Sequence, residues 1–170
     1  MRLKWRFAVL LAVPLIITWA PPPARPETRT DFQAEFQTGQ NALDRGDFRT
    51  AYRVFRTLAG EGFAKAQYDL ALMYRKGKIV PQNNAEAVKW FRKAAEQGHV
   101  QSQVNLGNMY LRGRGVPENF ILAHKWFNLA AARGDPDSRK LRDSVAGKMT
   151  PALIAEAQRL ASQWKPSLSP

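Results

Sequence analysis

With 170 residues, 45% of them hydrophobic and 24% charged, the chain is long enough for one domain with its own core. Lysine and arginine outnumber aspartate and glutamate by 26 to 14; from Glu27 onward 22 cations still face 14 anions, a net of +8 that favours an acidic partner. Cysteine is absent, which excludes disulfides, thiolate zinc sites and a cysteine nucleophile.

The chain opens with three cations in Met1–Arg6, followed by FAVLLAVPLIITWA (7–20), fourteen residues without a charge, and then PPPARPETRT. A charged start, a short apolar run and a small residue at its end are the pattern of a secretory signal peptide. Fourteen residues fall short of the ~20 that span a bilayer as a helix. Residues 1–24 are therefore expected to direct export, with the periplasm as destination. Pro21 follows the Thr18-Trp19-Ala20 site and disfavours cleavage, so an uncleaved inner-membrane anchor facing the periplasm is the alternative. Residues 25–30 read as a spacer.

The rest is organised by repetition. Residues 63–98 and 99–134 align without gaps at an offset of 36, with 15 identical positions. Leu70/Leu106, Tyr74/Tyr110, Trp90/Trp126 and Phe91/Phe127 are among the pairs. Ala51, Phe55, Ala59 and Gly62 carry the period upstream into a shorter unit at about 31–62. Each unit reads as two helices. In the third, Leu106 and Tyr110 share one face, and Gly113 and Gly115 end the helix. Ala123, Trp126, Phe127, Ala130 and Ala131 then form an apolar stripe on the next. Leu70, Tyr74, Trp90, Phe91, Leu106, Tyr110, Trp126 and Phe127 are the expected core. A degenerate C-terminal cap covers 135–164, with helices near 136–146 and after Thr150-Pro151, and 165–170 is expected to be a frayed tail. The fold class is all-α: an α/α superhelix, or solenoid, of helical hairpins.

Three stretches carry a resemblance: Leu106-Gly107-x-x-Tyr110, the turn Gly113–Val116, and the run from Ala123 through Trp126, Ala130 and Ala131 to Gly134. They resemble the Sel-one-like repeat (SLR), a relative of the tetratricopeptide repeat (TPR), in its exported bacterial type. Residues 63–98 match with Ile79 in place of the second turn glycine; in the first unit, GDFRTAYRVF (46–55) is closer to an ordinary tetratricopeptide turn. The resemblance implies scaffolding and protein binding, and family members linked to β-lactam binding rely on cysteine-stapled repeats that this chain lacks. It also implies a groove lined by the first helix of each unit. With Gly39, Ala71 and Gly107 at the close-contact position, the groove residues are Gln33, Phe36, Gln40 and Leu43 from the first unit. The second unit contributes Lys65, Tyr68, Leu72, Arg75 and Lys76. The third contributes Gln101, Val104, Asn108, Leu111 and Arg112.

Signs of chemistry are sparse. His99 and His124 are expected in different helices and lack metal-ligand spacing. No serine sits in a Gly-x-Ser-x-Gly elbow, and Asp135 and Asp137 suit a helix start. No catalytic residue, metal or cofactor is expected. Arg45, Arg49, Arg53 and Arg56 read as a solvated face. The expected function is a non-enzymatic adaptor or regulator of the bacterial cell envelope that holds a protein or peptide with acidic groups in the groove. The alternative is an electrostatic binder of anionic membrane or cell-wall polymer, and a hydrolase ranks below it. Nucleic acid is not expected as a partner of an exported chain.

Overall fold

The computed structural model describes residues 29–167, so the expected export segment and the expected spacer through residue 28 lie outside the described residues. Among the described residues eight helices follow one another: α1 (Arg29–Asp44), α2 (Phe48–Gly60), α3 (Ala64–Lys76), α4 (Asn84–Glu96), α5 (Val100–Arg112), α6 (Phe120–Ala132), α7 (Pro136–Ala146) and α8 (Pro151–Ser162). No helix among the described residues is long and apolar enough to cross a membrane.

The helix boundaries follow from local chemistry. Asp47, Asn83, Asn119, Asp135 and Thr150 each accept the backbone N–H three residues on, which satisfies a donor that the first turn leaves unpaired. Gly77 and Gly113 end α3 and α5 in the left-handed conformation, with φ of 66° and 60°; a side chain there would clash with its own backbone.

α1/α2, α3/α4 and α5/α6 are antiparallel hairpins, and each packs on the next through its second helix. Phe55, Phe91 and Phe127 recur at 36-residue intervals and are fully buried. Each ring lies under the small residue of its partner helix: an added Cβ at Gly39 would come 2.5 Å from Phe55, and one at Gly107 would come 2.7 Å from Phe127. The middle unit meets the same demand with the buried Ala71. Two clusters of buried side chains result, one centred on α2 and α3, the other running from α3 to α8. Tyr74 and Trp90 pack against both and make the seam continuous.

The core differs from the sequence-based expectation in two places. Trp126 is buried, but Trp90 is only half-buried, with Lys93 Nζ 4.4 Å from its ring centroid. At the C-terminus α8 docks on α6 instead of pairing with α7, and its Ala161 belongs to the same buried cluster as Trp126, with Trp164 packed against it. Tyr74 is also half-buried, its hydroxyl 3.1 Å from that of Tyr52.

The start of the expected frayed tail is tied down. Ser167 donates its N–H to the Glu96 carbonyl at 2.8 Å, and Arg133 lies over the Trp164 ring while donating to the Gly98 carbonyl.

Candidate functional site

The helix-first positions α1, α3 and α5 line one face, and the gaps between them are open. The gap between α1 and α3 is a cavity of about 540 Å³ lined by Leu43, Phe48, Asp69, Leu72, Met73, Lys76, Lys78 and Ile79. The gap between α3 and α5 is a cavity of about 470 Å³ lined by Arg75, Gln82, Asn84, Asn105, Asn108, Met109, Arg112 and Arg114.

The two cavities are the same place in successive repeats. Moving the first by one repeat carries Leu43 to Arg75, Phe48 to Asn84, Asp69 to Asn105 and Leu72 to Asn108. Met73 goes to Met109, and Lys76 and Lys78 to Arg112 and Arg114. The shared backbone geometry holds two opposite chemistries. The first cavity has leucine, phenylalanine and isoleucine walls, and Phe48 stands 49% exposed at its mouth. The second is walled by amides and three guanidinium groups. At the third junction, Lys148 Nζ lies 5.7 Å from the Phe120 ring centroid, over the side chain equivalent to Phe48 and Asn84.

Polar bonds bridge neighbouring helices along this face. Gln40 Nε2 donates to Asp69 Oδ2 at 2.6 Å, Lys65 Nζ donates to Gln33 Oε1 at 3.2 Å, and Arg75 donates to Asn105 Oδ1. Arg75 also lies 5.9 Å from the Phe91 ring centroid, so its guanidinium is oriented from two sides. Burial in the apolar cavity pushes the Asp69 carboxyl up from 3.8 to about 6, against the lowering effects of Gln40 and Lys76. Among the described residues, none of Arg75, Lys76, Lys78, Arg112 and Arg114 is in an ion pair. Five cations therefore meet at two adjacent cavities with their charge uncompensated by a salt bridge.

Six of the predicted groove residues line these cavities: Leu43, Leu72 and Lys76 the first, Arg75, Asn108 and Arg112 the second. Gln33, Gln40 and Lys65 serve the helix bridges, and Gln101 is exposed at the head of α5, its carbonyl bonded to Asn105. Phe36, Tyr68, Val104 and Leu111 are partly buried and pack against the core. Sequence reasoning missed Phe48, Asp69, Asn105, Lys78 and Arg114. The 36-residue alignment pairs Asp69 with Asn105 and Phe48 with Asn84, where the chemistry is exchanged, and Lys78 with Arg114, where the charge is kept, so comparing the units for the character of each pair, rather than for identity, would have found them.

The two histidines sit in different surroundings. His99 precedes α5 rather than lying within a helix, and its ring caps the Ser102 N–H at 3.3 Å. Burial and the Lys65 ammonium hold its pKa below the usual imidazole value, which favours the neutral, accepting form. His124 is buried in α6. Among the described residues no group of histidine, aspartate and glutamate could hold a metal ion.

Comparison with known proteins agrees with this architecture. The Sel1 repeat model matches residues 64–99 and 100–135, which are α3/α4 and α5/α6 with their closing turns. A Sel1 repeat protein from Oxalobacter formigenes is 31% identical, with a TM-score of 0.63, covering 67% of this chain and 89% of that one. A protective antigen present in uropathogenic Escherichia coli strains, displaying an SLR fold, is 29% identical with a TM-score of 0.73. The match covers 78% of this chain but only 29% of that antigen, so the chain spans under a third of its length. Helicobacter pylori cysteine rich protein B shares the fold, at 18% identity and a TM-score of 0.53 over 66% of this chain and 95% of that one. No curated protein matches the sequence. With two helical hairpins matched by the repeat model and a third built on the same contact between a small residue and a buried phenylalanine, the chain belongs to the Sel1 repeat family.

Proposed function

We propose that this protein is a non-enzymatic, envelope-side adaptor or regulator that holds an acidic segment of a partner protein across the α1–α3–α5 face. Sel1 repeat proteins generally mediate protein–protein interaction, and the family is a helical repeat scaffold that is usually non-catalytic. The observation that carries the reading is the gathering of five cations without salt-bridge partners around two adjacent open cavities. Guanidinium and amide groups held in place by their neighbours are suited to carboxylates and peptide backbone. Export to the periplasm, or anchoring in the inner membrane facing it, rests on the charged and apolar run at 1–24.

The test is site-specific photo-crosslinking in the native envelope fraction. p-Benzoylphenylalanine in place of Asn108 should trap a partner protein, and the same group in place of Leu153, exposed on α8, should not. Adducts from position 153 alone would remove the reading.

A second reading, electrostatic binding of anionic lipid or wall polymer, is favoured by the net charge of +8 from Glu27 onward and by the exposed Arg49, Arg53 and Arg56 on α2. Salt separates the two. Polymer or lipid binding should collapse as ionic strength rises, whereas groove capture should persist in part.

A further inference from the structure

We infer that the two cavities read a single extended segment of the partner in a fixed register: an apolar side chain enters the α1–α3 cavity and a side-chain carboxylate the α3–α5 cavity, about three residues away. This rests on the protein-binding reading above and specifies what the partner presents.

The argument begins with the exchange of chemistry at equivalent positions. One repeat step turns Leu43 into Arg75 and Leu72 into Asn108. Two cations stay at equivalent places in both cavities, Lys76 and Lys78 in the first and Arg112 and Arg114 in the second, so the exchange lies in the walls, and a polyanion has no use for apolar walls at one junction. A segment with two different determinants does.

Asp69 sets the polarity of the pair. Its carboxyl lines the apolar cavity beside Lys76 and Lys78 and is held there by Gln40, so a partner carboxylate placed in that cavity would meet a like group and apolar walls as well as the two ammonium groups. In the next cavity the equivalent Asn105 is neutral and Arg75 donates to it. Arg112 and Arg114 stand at the rim. A carboxylate there meets oriented donors and no acid on the lining. Phe48 at the mouth of the first cavity offers apolar area that water covers poorly.

The spacing follows from geometry. α3 separates the two cavities and contributes to both. A helix with its side chains is about 10–12 Å across, and an extended chain advances about 3.3–3.6 Å per residue. The two determinants are therefore about three residues apart.

The experiment uses the 15N-labelled full chain and N-acetylated, C-amidated peptides with the sequence Ser-Leu-Gly-Ser-Glu-Ser, titrated by amide chemical shift. The register predicts shifts at both Met73 and Asn108, and a loss of affinity of at least about fivefold when leucine becomes serine, when glutamate becomes glutamine, or when five further residues separate them. Leu72→Ser should abolish the advantage of leucine and leave that of glutamate intact. Shifts confined to one cavity, affinity that ignores the spacing, equal binding of polyphosphate, or no binding at millimolar peptide would each overturn the inference. Continued crosslinking from position 108 in that case would leave the protein-binding reading standing, and loss of both would remove both.

Discussion

Gln40 Nε2 donates to Asp69 Oδ2 at 2.6 Å, and this bond joins α1 to α3 along the wall of the apolar cavity. Asp69 is at once a structural clasp and, among the described residues, the only acid lining that cavity. The two roles can be separated by pH. Its folded pKa, about 6, lies above the ordinary 3.8, so the folded chain holds the proton more tightly than the unfolded one. Its contribution to stability is present at low pH and is lost as pH rises from about 4 to about 6.

Asp69→Asn keeps an acceptor for Gln40 and removes the buried charge. The variant should be more stable than the parent at pH 7 by roughly 2 kcal/mol, from a shift of about two units at ~1.4 kcal/mol each with part relieved by solvent. At pH 4 the two should differ little. Thermal unfolding at both values checks this; an equal difference at both would mean that the carboxyl is not desolvated.

The tryptophans should separate despite occupying the same repeat position. Trp126→Ala should cost about 3–5 kcal/mol, the range for deleting a buried large aromatic. Trp90→Ala should cost about half of that, because Trp90 is half-buried and part of its contact is with solvent and Lys93. Denaturant titration of both variants gives the comparison. Equal losses would mean that the deeper burial of Trp126 adds nothing to its packing energy.

Gly107→Ala should destabilise by about 1 kcal/mol. The new methyl would come 2.7 Å from the Phe127 ring, an overpacking cost of about 1–3 kcal/mol, and helix propensity returns about 1 kcal/mol. Ala71→Gly in the equivalent place should also destabilise, because Phe91 is packed for a methyl there. A melting curve unchanged in either variant would show that the ring adjusts freely.

Arg112→Glu combined with Lys76→Glu should weaken partner crosslinking from position 108 at least about tenfold and move the unfolding midpoint little. Both side chains are exposed, and surface charge changes away from packed features usually fall within about 0.5 kcal/mol. Undiminished capture would place the site elsewhere on the molecule.

The C-terminal clasp makes a fourth stability test. Trp164→Ala removes the ring under Arg133 and a contact to the main core, and should cost about 2 kcal/mol in thermal unfolding. The same change should leave crosslinking from position 108 unaffected, since α8 docks on α6, away from the α3–α5 cavity.

Local, periodic chemistry was legible in the sequence. The 36-residue period placed Phe55, Phe91 and Phe127 in one seam, and the Gly113, Asn119, Asp135 and Thr150-Pro151 signals marked helix ends that the structure keeps, because caps and stripes involve residues within one or two turns of each other. Repetition also carried the hairpin order, since each unit must bury its apolar stripe on the next. The tertiary structure alone decided what crosses between units. It turned α8 onto α6, buried Trp126 while leaving Trp90 half-buried, and clasped Trp164 under Arg133. It also brought Leu43 beside Leu72 and Arg75 beside Asn105, residues about 30 apart in sequence that meet only once α1, α3 and α5 lie side by side. A sequence pattern specifies which face of each helix is apolar; which cavity opens between two such faces depends on the distance and angle at which the folded helices settle, and that is set by the packing of all eight together.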